Sequence, residues 1–188
     1  MRPKIAIVGA GIFGLTAAIK LAEHGYPISV IEKGEDILTG ASGINQYRMH
    51  RGYHYPRSIS TAEKCRDSFV SFQENFPETV ITDTRQYYCI GSENSQTSAE
   101  EFLDFCNKLG LEYSITSDLD IVKSNSVSLI MKVNEGLYDA QILYKILWEK
   151  LKSLSINVKF GFKADSSILQ KYDFVVAATY CNNNEFIE

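Results

Sequence analysis

Hydrophobic and polar positions change period several times along this chain, and each change marks an element. Ile5 to Val8 is a short unbroken apolar run, Leu15, Ala18, Leu21 and Ala22 then recur at helical spacing, and Ile28 to Ile31 is a second, mainly apolar run. The order predicted is strand, helix, strand. Ser58 to Phe76 carries Ala62, Cys65, Phe69 and Phe72 on one helical face, with Ser58 or Thr61 as a cap and Pro77 beyond the end. From Val80 to Val133 the runs shorten and become β-branched and aromatic, at Tyr87 to Ile90, Tyr113 to Ile115 and Val127 to Val133, around a helical stretch from Ser98 to Leu109. That pattern predicts an inserted antiparallel sheet. Alternation sends half its side chains to a core, and the pattern alone leaves open which of Tyr87 and Tyr88 is buried. Glu135 to Asp139 then leads, with Asp139 as a cap, into an apolar stripe of Leu143, Ile146, Leu147, Leu151 and Leu154 alongside Lys150, with Trp148 in the same packing. Asn157 to Phe160 reads as a strand, and Asp173 to Ala178, nearly continuous in apolar residues, as a buried parallel one.

The first turn carries the chemistry. Gly9, Gly11 and Gly14 stand between the first strand and helix, and Glu32 ends the second strand eighteen residues after Gly14. Strand, glycine triplet, helix, strand and acid are the parts of a dinucleotide site. Gly9 turns the chain sharply, Gly11 leaves a pyrophosphate unobstructed at the helical amides, and Gly14 lets the helix lie close on the sheet. Glu32 would accept bonds from the hydroxyls of an adenosine ribose. A carboxylate there repels a 2′-phosphate, which favours FAD or NAD over NADP. Lys33 to Arg57 follows as a long polar, glycine-rich connection of the kind that wraps a ligand, with Arg48, His50 and Tyr55 able to bond a polar ring or an anion.

Composition narrows the function classes. A net charge of −4 with no long basic run argues against nucleic acid as the main partner. Cys65, Cys89, Cys106 and Cys181 form no Cys-x-x-Cys pair, as expected of free thiols in a reducing cytoplasm, and no metal site is indicated. Arg2 and Lys4 before an apolar run superficially suggest a signal peptide, a reading the glycine spacing opposes. No stretch approaches the ~20 uninterrupted apolar residues of a transmembrane helix.

The opening motif, Glu32-Lys33, the small residues Gly40 to Gly43, and His50-Arg51-Gly52-Tyr53-His54-Tyr55-Pro56 with Ser58 together resemble the N-terminal half of FAD-dependent oxidoreductases of the D-amino-acid oxidase superfamily. Glycine and sarcosine oxidases, glycerol-3-phosphate dehydrogenase and L-2-hydroxyglutarate dehydrogenase belong to that group. The His-x-Gly-x-x-Tyr pattern is most similar to its hydroxy-acid and glycerol-phosphate branches. The fold implied is α/β: a Rossmann-like FAD/NAD(P)-binding domain holding part of an inserted antiparallel-sheet substrate domain. The segments implied are 1–78 and 135–188 for the FAD-binding domain and 79–134 for the insertion.

The resemblance implies FAD as cofactor. Gly9, Gly11, Gly14 and the amides of Ile12 and Phe13 would line the pyrophosphate, with Glu32 and Lys33 at the adenosine end. Ser42, Gly43 and Asn45 would approach pyrophosphate or ribityl, and Arg48, His50 and Gly52 the isoalloxazine. His50 is a point to check for covalent attachment, with a noncovalent role expected, and His54 and Tyr55 are further ring-side candidates. Thr179 falls in Val-Val-Ala-Ala-Thr, where relatives continue with glycine and this chain has Tyr180, so the turn is expected from Asn182 or Asn183. The family needs roughly twice this length, so a missing C-terminal half, or a partner chain, is expected to complete the fold. Two functions follow: an FAD-dependent oxidoreductase acting on an amino acid, amine or hydroxy acid, or a noncatalytic module that binds FAD or NAD.

Overall fold

A computed structural model describes residues 2–117 and 119–186. The chain divides into two compact units, residues 1–46 with 140–188, and residues 47–139. The sequence reading drew its divisions at 78/79 and 134/135 instead. The segment from Tyr47 onward pairs its backbone within the second unit, which is why that unit begins earlier in the chain.

In the first unit, β1 (Ile5–Val8), α1 (Ile12–Glu23) and β2 (Ile28–Ile31) form as the apolar periods predict. The α1 stripe is turned from the one expected: Gly14, Leu15, Ala18 and Ile19 are its buried residues, and Leu21 and Ala22 sit at the margin. The closeness of helix and strand at Gly14 sets that rotation.

The second unit opens with β3 (Arg48–Met49), inside the connection expected to lack secondary structure. Helix α2 (Ile59–Asn75) buries Ala62 and Phe69 and ends before Pro77. Next come β4 (Val80–Ile81), β5 (Gln86–Gly91), α3 (Ala99–Leu109), β6 (Tyr113–Ile115) and β7 (Val127–Val133). Ser98 caps α3 in a reciprocal capping box with Glu101, and Gly110 takes the left-handed conformation that ends it. β8 (Gly136–Tyr138), in the stretch expected to mark the return to the first domain, pairs antiparallel with both β3 and β4. It joins the two ends of the unit: Tyr138 N–H donates to Tyr47 O at 2.9 Å and Asp139 N–H to Thr79 O at 2.8 Å.

The other sheet of this unit runs β5-β7-β6, antiparallel. Its core holds Ile90, Leu129, Met131 and Val133 against Phe102, Phe105 and Cys106 of α3, with Tyr53 and Ala62 joining from the preceding segment. Tyr88, opposite Met131, packs on this core, and Tyr87, opposite Lys132, therefore points to the other face.

The first unit is completed by α4 (Ala140–Ser153), β9 (Asn157–Lys159), a single turn α5 (Ser166–Leu169) and β10 (Phe174–Ala177). Leu143, Leu147 and Leu151 form the buried stripe of α4, and Trp148 packs its ring against Tyr144 and Phe160. The parallel sheet has the order β10-β1-β2-β9, with Val8 beside both Ala177 and Ile31. β10 lies at the end of this order, with Phe174 61% and Val175 41% exposed, so the expected burial is only partly met. Chain order reverses between β1 and β10, and ligands of such sheets bind beyond the carboxyl ends of the strands at that reversal.

Candidate functional site

The reversal brings the end of β1 against the end of β10, and glycine is required on both sides of the turn. Gly9 has φ +105°, and a Cβ there would lie 2.5 Å from Ala178 O. A Cβ on Gly14 would lie 2.0 Å from Gly9 O, so the close approach read from the sequence is a backbone contact. Gly11 differs. A Cβ there would meet only Ser42 Oγ, at 3.4 Å. Its missing side chain is spent on open space before the first turn of α1, where unpaired amides and the positive end of the helix dipole favour an anion.

Ser42 reaches this turn directly: its Oγ accepts from Ile12 N–H at 3.1 Å. Phe13 beside it is 84% exposed, so its backbone holds the turn while its ring lies in solvent. Gly43 is fixed by its own loop, since a Cβ would come 2.0 Å from Leu38 O, and its N–H donates to Gly40 O. Asn45 donates from Nδ2 to Ala41 O at 3.2 Å, closing the same loop.

Glu32 is at the crook. Its Oε2 accepts from Ala10 N–H at 2.6 Å and its Oε1 from Gly34 N–H at 2.7 Å. A carboxylate has about four lone-pair sites, so two amides leave capacity for a pair of ribose hydroxyls. Lys159 O and Phe162 N–H bond its backbone from the β9 side. Lys33 beside it is exposed.

Thr179 closes the site from β10, its N–H and Oγ1 both donating to Asn183 Oδ1 at 2.9 Å. The turn expected from Asn182 or Asn183 occurs earlier, at Tyr180 itself, with φ +57°. Tyr180 thus adopts the left-handed backbone of the glycine it replaces, with its ring 80% exposed. Relief of the ring into solvent makes this conformation sterically tolerable, at a cost of about 1–2 kcal/mol.

Open amides at α1, a residue without a side chain in front of them, a hydroxyl from the next loop and a carboxylate at the end of β2 fit a dinucleotide. Gly9, Gly11, Ile12, Phe13, Gly14, Glu32, Lys33, Ser42, Gly43, Asn45 and Thr179 all belong to the first unit. Arg48, His50 and Gly52 belong to the second. Gly52 has a packing reason to be glycine: φ is +113°, and a Cβ would lie 2.9 Å from Ala62 O.

Arg48 and His50 instead surround a carboxylate the sequence did not single out. Glu135, between β7 and β8, is 2% exposed. Its Oε2 accepts from Arg48 Nη2 at 2.5 Å and Tyr88 OH at 3.3 Å, and its Oε1 from Arg51 N–H at 2.9 Å. Arg48 also lies over the Tyr88 ring, and Arg51 over the Phe69 ring. Burial acts to raise the Glu135 pKa, but His50, the Arg51 N–H and the Arg48 charge outweigh it and hold it below the usual carboxylate range. Burial, then the Glu135 charge, pushes the Tyr88 hydroxyl well above the usual phenol. The one signal available in the sequence was an acid within the apolar run from Val127 to Tyr138.

The family model described as DAO, FAD dependent oxidoreductase, matches residues 4–141. The chain belongs to the DAO family of FAD-dependent oxidoreductases. FAD-dependent monooxygenase FPY4 of Fusarium mangiferae is 29% identical over 182 residues, covering 94% of this chain and 49% of that protein. FAD-dependent monooxygenase kojA of Aspergillus flavus is 37% identical over 108 residues, 55% of this chain and 25% of that protein. The chain thus spans between a quarter and a half of the curated DAO relatives it matches. Among solved structures, NikD, an unusual amino acid oxidase, superposes with a TM-score of 0.67 at 15% identity, over 96% of this chain and 53% of that one. Glycine oxidase from Bacillus cereus gives 0.66 at 16%, over 88% of this DAO chain and 49% of its own. These likenesses carry the fold.

Proposed function

We propose that this DAO-family chain supplies the dinucleotide half of an FAD-dependent oxidoreductase that oxidises an amino acid, amine or hydroxy acid. The observation that carries the reading is Gly11, whose Cβ position is open at the amides of α1 while Glu32 stands at the same crook. The pyrophosphate of FAD lies against the first turn of α1, with Gly9 and Gly14 shaping the turn and Ile12, Phe13 and Ser42 offering donors. Glu32 accepts the ribose hydroxyls, with Lys33 beside the adenosine. Gly43, Asn45 and Thr179 border the pyrophosphate and ribityl chain. The first unit is the FAD-binding part and the second a portion of the substrate domain. Bound FAD supplies a hydride acceptor, and the protein binds, orients and shields it.

Glu32→Arg tests the assignment. It places a cation at the ribose and removes both amide contacts, so FAD affinity should fall more than tenfold in a fluorescence titration, equivalent to at least ~1.4 kcal/mol. Unchanged affinity would mean the ribose is held elsewhere. Anaerobic bleaching of the bound flavin by an amino acid or a hydroxy acid would name the substrate class, and bound flavin that no such compound reduces would favour a noncatalytic module.

A further inference from the structure

Among the described residues, two buried side-chain nitrogens of the second unit make no hydrogen bond, Arg48 Nε and His50 Nδ1, and the second of these faces a carboxylate. His50 Nδ1 stands 3.8 Å from Glu135 Oε1, and the Glu135 side chain has no exposure. That nitrogen is itself buried and makes no hydrogen bond, although the His50 side chain as a whole is 29% exposed. The exposed part of the ring therefore excludes Nδ1, and Nε2 is not among the buried atoms without a partner. The ring is held from its other sides by His54, stacked at 5.2 Å between centroids, and Tyr55, edge-on at 6.3 Å. Among the described residues Glu135 Oε1 accepts from the Arg51 N–H alone, which leaves it a lone pair to spare.

We infer that Glu135 is a positioning residue that pairs with His50, fixing the proton of the neutral ring on Nδ1 and leaving Nε2 as a proton acceptor. Leaving a buried donor without a partner is unfavourable, which favours closing the 3.8 Å separation to hydrogen-bond length. The opposite tautomer would set the Nδ1 lone pair against a carboxylate, which the field of Glu135 disfavours. Arg48 and Arg51 from the β3 segment, Tyr53 from the segment after it, Tyr88 from β5 and Cys65 from α2 are the other ionisable groups that feel this carboxylate among the described residues. Arg48 and Tyr88 hold its second oxygen, so Oε1 alone faces His50. The role given to Nε2, taking a proton from a substrate hydroxyl or amine, rests on the oxidoreductase reading. The pair itself does not.

The test is nitrogen-15 NMR of the histidine rings, recorded without flavin so that a failure of FAD binding leaves it unaffected. The chain has three histidines, and His24→Gln and His54→Gln assign the signals. The expected result is neutral His50 mainly as the Nδ1–H form, the reverse of free histidine, with a downfield Nδ1 proton that moves upfield in Glu135→Gln. A mainly Nε2–H ring in the wild type, or a proton resonance that the variant leaves in place, would overturn the pair. Should Glu135→Gln fail to fold, the wild-type tautomer decides the question by itself.

Discussion

Two alanine substitutions one helical turn apart separate what the glycines do for the fold from what they do for the ligand. In Gly14→Ala the new Cβ would sit 2.0 Å from Gly9 O and 3.3 Å from Ala178 Cβ, against an ordinary contact of about 3.4 Å. Helix and turn must separate by roughly 1.4 Å at the oxygen, and the obstacle is backbone, which cannot rotate away. Overpacking of this kind costs about 1–3 kcal/mol, at the upper end here, and the better helix propensity of alanine returns at most ~1 kcal/mol. The net loss of ~1–2 kcal/mol corresponds to a fall in Tm of roughly 2–8 °C for a chain of this size. Gly11→Ala meets only Ser42 Oγ at 3.4 Å, and its φ of −75° suits any residue. Its stability cost is limited to the loss of a favourable N-cap residue, ~0.5 kcal/mol. Its methyl group stands where the pyrophosphate approaches, and losing one charge-assisted bond of ~1.5–3 kcal/mol weakens FAD about ten- to hundredfold. Thermal melting without flavin and flavin titration of both variants read the two effects independently. Gly14→Ala melting with the wild type would refute the packing argument. Gly11→Ala binding FAD at wild-type affinity would refute the placement of the pyrophosphate.

Other consequences follow from the same contacts. Tyr180→Gly relieves a left-handed backbone at φ +57° and should raise stability by about 1 kcal/mol in chemical denaturation; a lower midpoint would show that the exposed ring contributes more than its conformation costs. Because the Glu135 pKa is depressed in the folded state, its contribution is present above the unfolded value and is lost as pH falls through the folded one. Acid unfolding should accordingly be shallower below pH ~4.5 in Glu135→Gln than in the wild type, and parallel curves would contradict that linkage. Cys106 is fully buried, and burial pushes its thiol up to about 11, so a thiol reagent should modify it only after unfolding, whereas Cys181 should react in the native protein. Early labelling of Cys106 in a peptide digest would mean that α3 opens readily.

The sequence by itself determined the local elements and the crook. Short apolar runs at Ile5–Val8 and Ile28–Ile31 on either side of a helical stripe mark two strands, and three glycines with an acid at a fixed distance mark the crook between them, because period and missing side chains act over a few residues. Helix α2 was legible for the same reason, in its apolar face, and α3 as a helical stretch between short β-like runs. Tertiary structure decided what depends on partners distant in the chain. β3 and β8 are too short to show a period and are strands because β8 completes the hydrogen bonds of β3 on one side and β4 on the other. Which of Tyr87 and Tyr88 faces the core was set by where α3 lies, since alternation alone gives two equivalent answers. Tyr180 could take over a glycine's conformation because its side chain lies in solvent, and Glu135 could be buried as an anion because Arg48 and Arg51 from the β3 segment and Tyr88 from β5, two places distant from it in the sequence, come together to hold it.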